Sequence, residues 1–194
     1  MKKETLKFKF KKIKNFLNKE EINICREYFL IQHKNNIKDF DTGQNANLDT
    51  KKYADPLVES LLLNKKNVVE KEINLNLLPS YSFYRVYTMF SELVKHSDRP
   101  SCEVSVTVMV GSSGEKWPIF MDGVPVELSP GDAVIYAGCD VEHWREEFLG
   151  DWHAQFFLHY VNENGPYTEY KLDKRPYLGA LEWMRGVITK EDKK

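Results

Sequence analysis

Six short apolar segments in the second half of the chain decide the fold class. The central one is CEVSVTVMVG at residues 102–111, in which valines alternate with small polar residues. The other five are YSFYRVYTMF at 81–90, KWPIFM at 116–121, PVEL at 125–128, DAVIYA at 132–137 and AQFFLHYV at 154–161. Because β-branched and aromatic residues dominate and polar turns separate the segments, each is typical of a strand. Short strands at this spacing predict a β-sandwich, a jelly roll or a barrel.

The residues before the strands follow a helical pattern instead. NKEEINICREYFLIQHK at 18–34 predicts a helix that Asn18 can cap, and residues 54–72 predict a second one. The expected packing residues are Ile22, Cys25, Phe29 and Ile31 in the first helix, and Leu57, Leu61, Leu62 and Val68 in the second. The polar stretch 35–52 is typical of a loop. At the N-terminus, Leu6, Phe8 and Phe10 alternate with lysines, which indicates an edge strand with a solvated face.

Composition limits the function classes. The chain has 194 residues, 42% of them hydrophobic, which is enough for one folded domain. We expect a single domain over 1–194, with an N-terminal strand and helical support over 1–79 and a β core over 80–175. The formal net charge of -1 argues against a dedicated nucleic-acid binder. With no apolar run of membrane-spanning length, no secretory signal and only three cysteines, we expect a cytoplasmic protein.

Nucleotide-binding folds are also excluded. No helix-length segment lies between residues 100 and 160, so a doubly wound parallel sheet does not fit the pattern. Neither a GxGxxG motif nor a P-loop spacing is present.

One cluster of residues carries the candidate chemistry. Residues 96–98 are His-Ser-Asp, and on an extended strand His96 and Asp98 point the same way. His143 follows 47 residues after His96, beyond a Gly-Asp turn and an apolar strand. Two histidines and one carboxylate on one side of a metal ion leave the other side open. This donor set is the facial triad of non-haem Fe(II) oxygenases.

The region from about 80 to 162 resembles the Fe(II)/2-oxoglutarate-dependent dioxygenases, in particular their prolyl-hydroxylase-like branch. The resemblance depends on Tyr87, the His96-Ser97-Asp98 motif, the Gly131-Asp132 turn, and His143 followed by Gly150 and a strand. It implies a mostly β protein, a double-stranded β-helix (jelly roll) with flanking N-terminal helices. It also implies a hydroxylase that binds Fe(II) through His96, Asp98 and His143. The co-substrates would be 2-oxoglutarate and dioxygen, with succinate and CO2 as co-products.

The same resemblance assigns residues to 2-oxoglutarate binding. Tyr87 stands where the prolyl-hydroxylase-like branch often has a tyrosine that hydrogen-bonds 2-oxoglutarate, and Ser105 and Thr107 stand where small hydroxyl residues often line the same site. The family has an Arg or Lys about ten residues after the distal histidine, which pairs with the far carboxylate. This chain has His153 at that position. Either a protonated His153 or Arg145 would have to supply the charge.

Two other function classes remain open from the residues. One is a metal-binding, cupin-like jelly roll with a different activity, although a cupin usually has an H-x-H pair and this chain has none. The other is a β-sandwich with a binding role only. The prime substrate is not identified by the sequence. We expect His33, His159, the tryptophans and the cysteines to be structural.

Overall fold

The computed structural model describes residues 6–35 and 49–186. Most of the predicted loop at 35–52 and the C-terminal lysine-rich tail lie outside the described residues. Two helices, α1 (Lys19–Lys34) and α2 (Pro56–Ile73), precede most of the strands. The strands are β1 (Phe10–Ile13), β2 (Thr50–Tyr53), β3 (Leu77–Thr88), β4 (Leu93–His96), β5 (Val104–Ser112), β6 (Ile119–Met121), β7 (Val124–Val126), β8 (Ala133–Ala137), β9 (His143–Arg145) and β10 (Trp152–Asn162).

These strands form two antiparallel sheets. The six-stranded sheet has the order β1-β8-β5-β10-β3-β2, and the four-stranded sheet has the order β4-β9-β6-β7. Between residues 100 and 160 the helical structure is limited to a 3₁₀ turn at Pro100–Cys102. The arrangement confirms the predicted mostly β jelly roll with flanking helices.

The two helices cover the outer face of the six-stranded sheet. Phe29 of α1 and Leu62 of α2 share one buried cluster with Val106 and Phe156 of the sheet. Asn18 caps α1 in a reciprocal capping box with Glu21, and α2 begins after the cap Asp55. The predicted helices are therefore confirmed to within two residues at each end.

Two of the predicted packing residues are wrong. Ile31 is 54% exposed because it lies two residues beyond the buried Phe29, which turns it away from the sheet. Val68 is 38% exposed, and its neighbour Val69 occupies the buried position instead.

The inner face of the six-stranded sheet packs against the four-stranded sheet. Along β5, valines 104, 106, 108 and 110 belong to the cluster under the helices. Because side chains alternate along a strand, Ser105 and Thr107 face the second sheet. On β10, Ala154, Phe156, Leu158 and Tyr160 face the helices, so His153, Gln155, Phe157 and His159 face inward. Polar side chains are thus directed into the space between the sheets.

The predicted N-terminal strand lies at a sheet edge, paired with β8, but it starts only at Phe10, so Leu6 and Phe8 precede it.

Several other short elements were not predicted. β2, β4 and β9 are each three or four residues long. Residues 168–174 and 182–184 form 3₁₀ turns after the last strand. Neither described helix combines the length and the apolar character that crossing a bilayer requires.

Candidate active site

His96, Asp98 and His143 meet between the two sheets. His96 ends β4 and His143 begins β9, and the two residues are paired across these antiparallel strands. Asp98 follows in the loop after β4, where its Oδ1 atom is 3.7 Å from Nε2 of His96 and 3.7 Å from Nε2 of His143. One potential ligand atom from each residue lies within 4.8 Å of the other two. The structure therefore places the three residues in one cluster.

The backbone sets the orientation of both imidazoles. His96 donates from Nδ1 to the carbonyl oxygen of Val94 at 2.6 Å, and His143 donates from Nδ1 to that of Val141 at 3.0 Å. A carbonyl can only accept, so each Nδ1 carries the proton. The Nε2 atoms, through which both imidazoles would bind a metal ion, then face Asp98.

Asp98 is held by two contacts. Its backbone N–H donates to the carbonyl oxygen of Gly138 at 2.8 Å, and its Oδ2 accepts a hydrogen bond of 2.8 Å from the Ser105 hydroxyl. The Oδ1 atom of Asp98 therefore faces His96 and His143. Gly138 permits this close approach, since a Cβ atom there would lie 2.1 Å from the carbonyl oxygen of Cys102 and 2.6 Å from Asp98 Oδ2.

The pKa values of the cluster suit a cation. Burial lowers the pKa of His143 below its ordinary value, so its imidazole is neutral. The neighbouring Asp98 carboxylate raises the pKa of His96. Burial by itself raises the pKa of Asp98, but the neighbouring imidazoles of His96 and His143 outweigh it, and the pKa lies below its usual value. Asp98 is therefore ionised, and a metal ion would compete with a proton at His96.

The donor set fits a first-row divalent metal. At ligand distances of about 2.1 Å, adjacent ligands of an octahedral ion are about 3 Å apart, so the observed 3.7 Å separations require only a small contraction. Two neutral imidazole nitrogens and one carboxylate are the facial ligands of non-haem Fe(II).

A second group of potential ligands lies beside the first. Asp98, Cys102 and His159 also bring ligand atoms within 4.8 Å of one another. The Ser105 hydroxyl joins two of them, at 2.8 Å from Asp98 Oδ2 and 2.9 Å from His159 Nδ1. Burial raises the pKa of the Cys102 thiol well above its ordinary value, so the thiol is protonated and a poor ligand. The cluster with His96 and His143 is the better metal site.

A cavity of about 280 Å³ opens next to the metal-site cluster. Its lining combines aromatic and basic side chains with the three cluster residues. The lining residues are Lys51, Tyr81, Phe83, Arg85, Tyr87, Leu93, His96, Asp98, Tyr136, His143, Phe157 and His159. Phe83 and Phe157 have ring centroids 6.1 Å apart, and Tyr81 stacks on His159.

A polar network lies on the far side of Tyr87. Gln155 Nε2 donates to the Tyr87 hydroxyl at 3.3 Å, and its Oε1 accepts from Arg145 Nη2 at 2.8 Å. Nε2 of His153 lies 3.2 Å from the same Oε1. Arg145 also donates to the carbonyl oxygen of Trp117. Arg145 and His153 line a second cavity, of about 340 Å³, while Tyr87 lines the first.

Arg145 and His153 differ in charge. Arg145 is 2% exposed, and burial lowers its pKa to about 10, which leaves it protonated at neutral pH. Burial and the nearby Arg145 lower the pKa of His153 well below its ordinary value, so His153 is neutral. Within the described part of the chain, no ion pair joins Arg145 to an acidic side chain, and its hydrogen-bond partners are neutral.

The remaining predicted residues lie outside the first cavity. Ser105 contacts Asp98, and Thr107 is buried on the same strand without lining the cavity. His33 lies elsewhere, 2.7 Å from the Thr50 hydroxyl. Lys51 was not predicted to line a site, because TKKY at 50–53 stands in a stretch whose Asn and Asp content is typical of a loop. Arg85, which lies on the same strand face as Tyr87, was not among the predicted site residues either.

The fold matches that of known Fe(II)/2-oxoglutarate oxygenases. A prolyl-4-hydroxylase from Pseudomonas putida has 13% sequence identity and a TM-score of 0.62, covering 81% of this chain and 95% of that one. SnoK, a non-haem α-ketoglutarate-dependent carbocyclase of nogalamycin biosynthesis, has 13% identity and a TM-score of 0.67, covering 86% of each chain.

HygX from Streptomyces hygroscopicus, solved with nickel and 2-oxoglutarate bound, has 12% identity and a TM-score of 0.61, covering 80% of this chain and 83% of that one. No family model matches the sequence. No curated protein matches it significantly. At these identities the likeness is one of fold.

Proposed function

We propose that this protein is an Fe(II)- and 2-oxoglutarate-dependent oxygenase that hydroxylates its substrate. The observation that carries the proposal is the cluster of His96, Asp98 and His143. The Nε2 atoms of its two histidines are directed at one carboxylate oxygen beside a cavity. The shared fold with metal- and 2-oxoglutarate-binding enzymes supports the same assignment.

In this proposal the three cluster residues hold the metal ion. When bound, Fe(II) supplies with 2-oxoglutarate and dioxygen the oxidising chemistry that yields succinate and CO2. The carbonyls of Val94 and Val141 keep the two imidazoles in the ligand tautomer. Ser105 orients Asp98 and so takes a positioning role instead of lining the co-substrate site.

We assign the far carboxylate of 2-oxoglutarate to Arg145 and Tyr87. An anion buried between the sheets needs a cation or several donors. Arg145 supplies a charge that no described acidic side chain neutralises, whereas His153 is neutral. Gln155 links Arg145 to Tyr87, so one hydrogen-bond network runs from Arg145 at the second cavity to Tyr87 at the first. Thr107 remains a candidate for the same site.

Metal and co-substrate binding test the proposal directly. Wild-type protein is expected to bind one Fe(II) under anaerobic conditions and then to develop the visible charge-transfer absorption of an Fe(II)–2-oxoglutarate chelate. His96→Ala and Asp98→Ala should each abolish both signals, because the cluster loses a ligand. His33→Ala removes a histidine outside the site and serves as the matched control.

A different function or a different set of metal ligands would give different results in these binding experiments. Fe(II) binding that is lost in Asp98→Ala, without 2-oxoglutarate binding or succinate formation, would favour a cupin-like protein of another activity. Stoichiometric metal binding that survives both substitutions would contradict the assigned ligands. Folding of each variant is checked by circular dichroism.

A further inference from the structure

His159 lies on the inner face of β10, beside the metal-site cluster. It is 5% exposed, and it lines the cavity of about 280 Å³ next to that cluster. Tyr81 stacks on its ring with centroids 4.4 Å apart, and the ring of Phe157 lies nearly parallel to it with centroids 6.3 Å apart. These two aromatic contacts fix the plane of the imidazole.

A hydrogen bond with Ser105 determines which nitrogen of His159 carries the proton. The Ser105 hydroxyl has one proton, and two of its neighbours can only accept it: Oδ2 of the ionised Asp98 at 2.8 Å and the carbonyl oxygen of Cys102 at 3.1 Å. The serine oxygen therefore accepts at its contact of 2.9 Å with Nδ1 of His159. Burial lowers the pKa of His159 to about 4, so the ring is neutral and Nε2 carries a lone pair.

The Nε2 atom of His159 is available to a ligand. Among the described residues no donor reaches it, because the hydrogen bond of this side chain goes to Ser105. Buried polar atoms are normally hydrogen-bonded. With Nδ1 on Ser105 and the ring plane packed against Tyr81 and Phe157, the edge that carries Nε2 is left to face the cavity. His159 therefore offers one oriented acceptor to a molecule bound there.

The rest of the cavity lining favours an uncharged, flat molecule. Phe83 and Phe157 line the same cavity with ring centroids 6.1 Å apart. The two basic lining residues, Lys51 and Arg85, already have partners, which for Arg85 is Asp49 at 2.6 Å. Because a buried charge needs a partner, an uncharged ligand fits this lining best. The cavity volume suits a small molecule.

We propose that the prime substrate is a small, uncharged, flat molecule that donates a hydrogen bond from an N–H or O–H group to Nε2 of His159. Its body packs against Phe83 and Phe157, beside the metal-site cluster. His159, which was expected from the sequence to be structural, then takes part in selecting the substrate. This inference deepens the proposed function and rests on it.

Three bicyclic probes of nearly equal shape isolate the hydrogen bond. Indole has an N–H donor, benzofuran has a ring oxygen and no donor, and indene has neither. Their affinities are measured by isothermal calorimetry on the full chain with Mn(II) and 2-oxoglutarate present. Indole should bind about tenfold more tightly than benzofuran or indene, since it alone can donate to the acceptor. Mn(II) should broaden the proton signals of bound indole, because the cavity adjoins the metal site.

Two substitutions of His159 separate its two nitrogens. Asn can place a polar atom near the position of Nδ1 but does not reach that of Nε2, so His159→Asn should weaken indole binding about tenfold and leave indene binding unchanged. Gln reaches the position of Nε2 with an amide oxygen, so His159→Gln should keep part of the preference for indole. His33→Asn is the matched control, since it makes the same change at a histidine that does not line the cavity. Circular dichroism checks that each variant folds, and the comparison of probes on the wild type needs no variant.

Equal affinities for indole and indene, no binding of indole, or bound indole whose signals Mn(II) leaves sharp would each overturn the inference. So would a folded His159→Asn variant that keeps the full preference for indole and only binds Mn(II) more weakly, because His159 would then act solely through Ser105 on Asp98. The comparison of probes is repeated without metal. A preference for indole that His159→Asn removes, in a protein that fails to bind Mn(II) and 2-oxoglutarate, would contradict the proposed function alone.

Discussion

A buried guanidinium without a carboxylate partner is costly, and Arg145 is in this position among the described residues. The cost is removed when an anion binds, which is why the residue is assigned to the co-substrate. His153, ten residues after His143, lies beside it but is neutral, because burial and the charge of Arg145 both disfavour its protonation. Arg145 should therefore contribute more than His153 to 2-oxoglutarate binding.

We predict that 2-oxoglutarate affinity of the wild type, with the metal site kept saturated by Mn(II), is nearly constant between pH 6 and 8. Below its folded pKa a histidine would add positive charge and strengthen binding, but burial and Arg145 hold the pKa of His153 well below its ordinary value. Arg145→Gln should weaken binding at least about tenfold at every pH, and His153→Ala should have a smaller effect. Calorimetric titrations of 2-oxoglutarate into Mn(II)-loaded protein measure the pH dependence and the effects of the two substitutions.

Lys116→Met, which removes an exposed charge at the rim of the second cavity, is the control. Affinity that rises toward pH 6 and loses this rise in His153→Ala would assign the carboxylate to His153 instead. From the sequence, Arg145 and His153 stayed alternatives. Choosing between them requires knowing how deeply each side chain is buried and how close the two side chains lie to each other. Neither quantity can be derived from a spacing of ten residues along the chain.

At the scale of elements, Asp55 joins the two helices. It caps α2 through the N–H of Leu57 at 3.0 Å and accepts a hydrogen bond of 2.8 Å from the Tyr28 hydroxyl of α1. Burial and this hydrogen bond raise the pKa of Tyr28 to about 12, so the phenol is the donor at neutral pH. One side chain thus caps the start of α2 and holds α1 through Tyr28.

Asp55→Ala should lower the free energy of unfolding by about 2 kcal/mol, because both the helix cap and the part-buried hydrogen bond from Tyr28 are lost. Tyr28→Phe removes only the hydroxyl and should cost about 1 kcal/mol. Urea denaturation followed by circular dichroism measures both values. Equal free energies of unfolding for Asp55→Ala and Tyr28→Phe would show that the helix cap contributes nothing to stability.

The sequence predicts these helices well because their signals are local: Asn18 and Glu21 form a capping box, and the apolar spacing follows the helical period. The strands β4 and β9, which carry His96 and His143, were not predicted. Each is only three or four residues long, and each exists because of its partner across the sheet. The metal-site residues were nevertheless found from the His-x-Asp spacing, which assumed an extended strand, and from the later histidine. In the structure only His96 lies in β4, and Asp98 follows in the loop.

At the scale of the whole molecule, the segment after β10 returns to the helices and the sheet. Asp173 accepts hydrogen bonds of 2.7 and 2.9 Å from Arg99, the residue next to Asp98, and one from Tyr53 of β2. Arg175 pairs with Glu59 of α2 at 2.6 Å. Such contacts join residues more than 70 positions apart, so no local pattern in the sequence could have indicated them.

The buried pair between Glu59 and Arg175 gives the last prediction. The two residues are 3% and 4% exposed, and Arg175 also donates to the carbonyl oxygens of Ser80 at 3.1 Å and Ala180 at 2.7 Å. Removing one partner leaves the other as an uncompensated buried charge. Glu59→Ala and Arg175→Ala should each therefore lower the free energy of unfolding by about 3 kcal/mol or more.

The double variant should cost clearly less than the sum of the two single variants, because it buries no unpaired charge. Urea denaturation of the four proteins completes the double-mutant cycle. Lys116→Ala, which breaks the exposed pair between Lys116 and Glu127, should leave stability unchanged within error. Single variants that each cost under about 1 kcal/mol would show that this pair behaves like a surface ion pair. The segment after β10 would then have to be held mainly by its other contacts, such as those of Asp173.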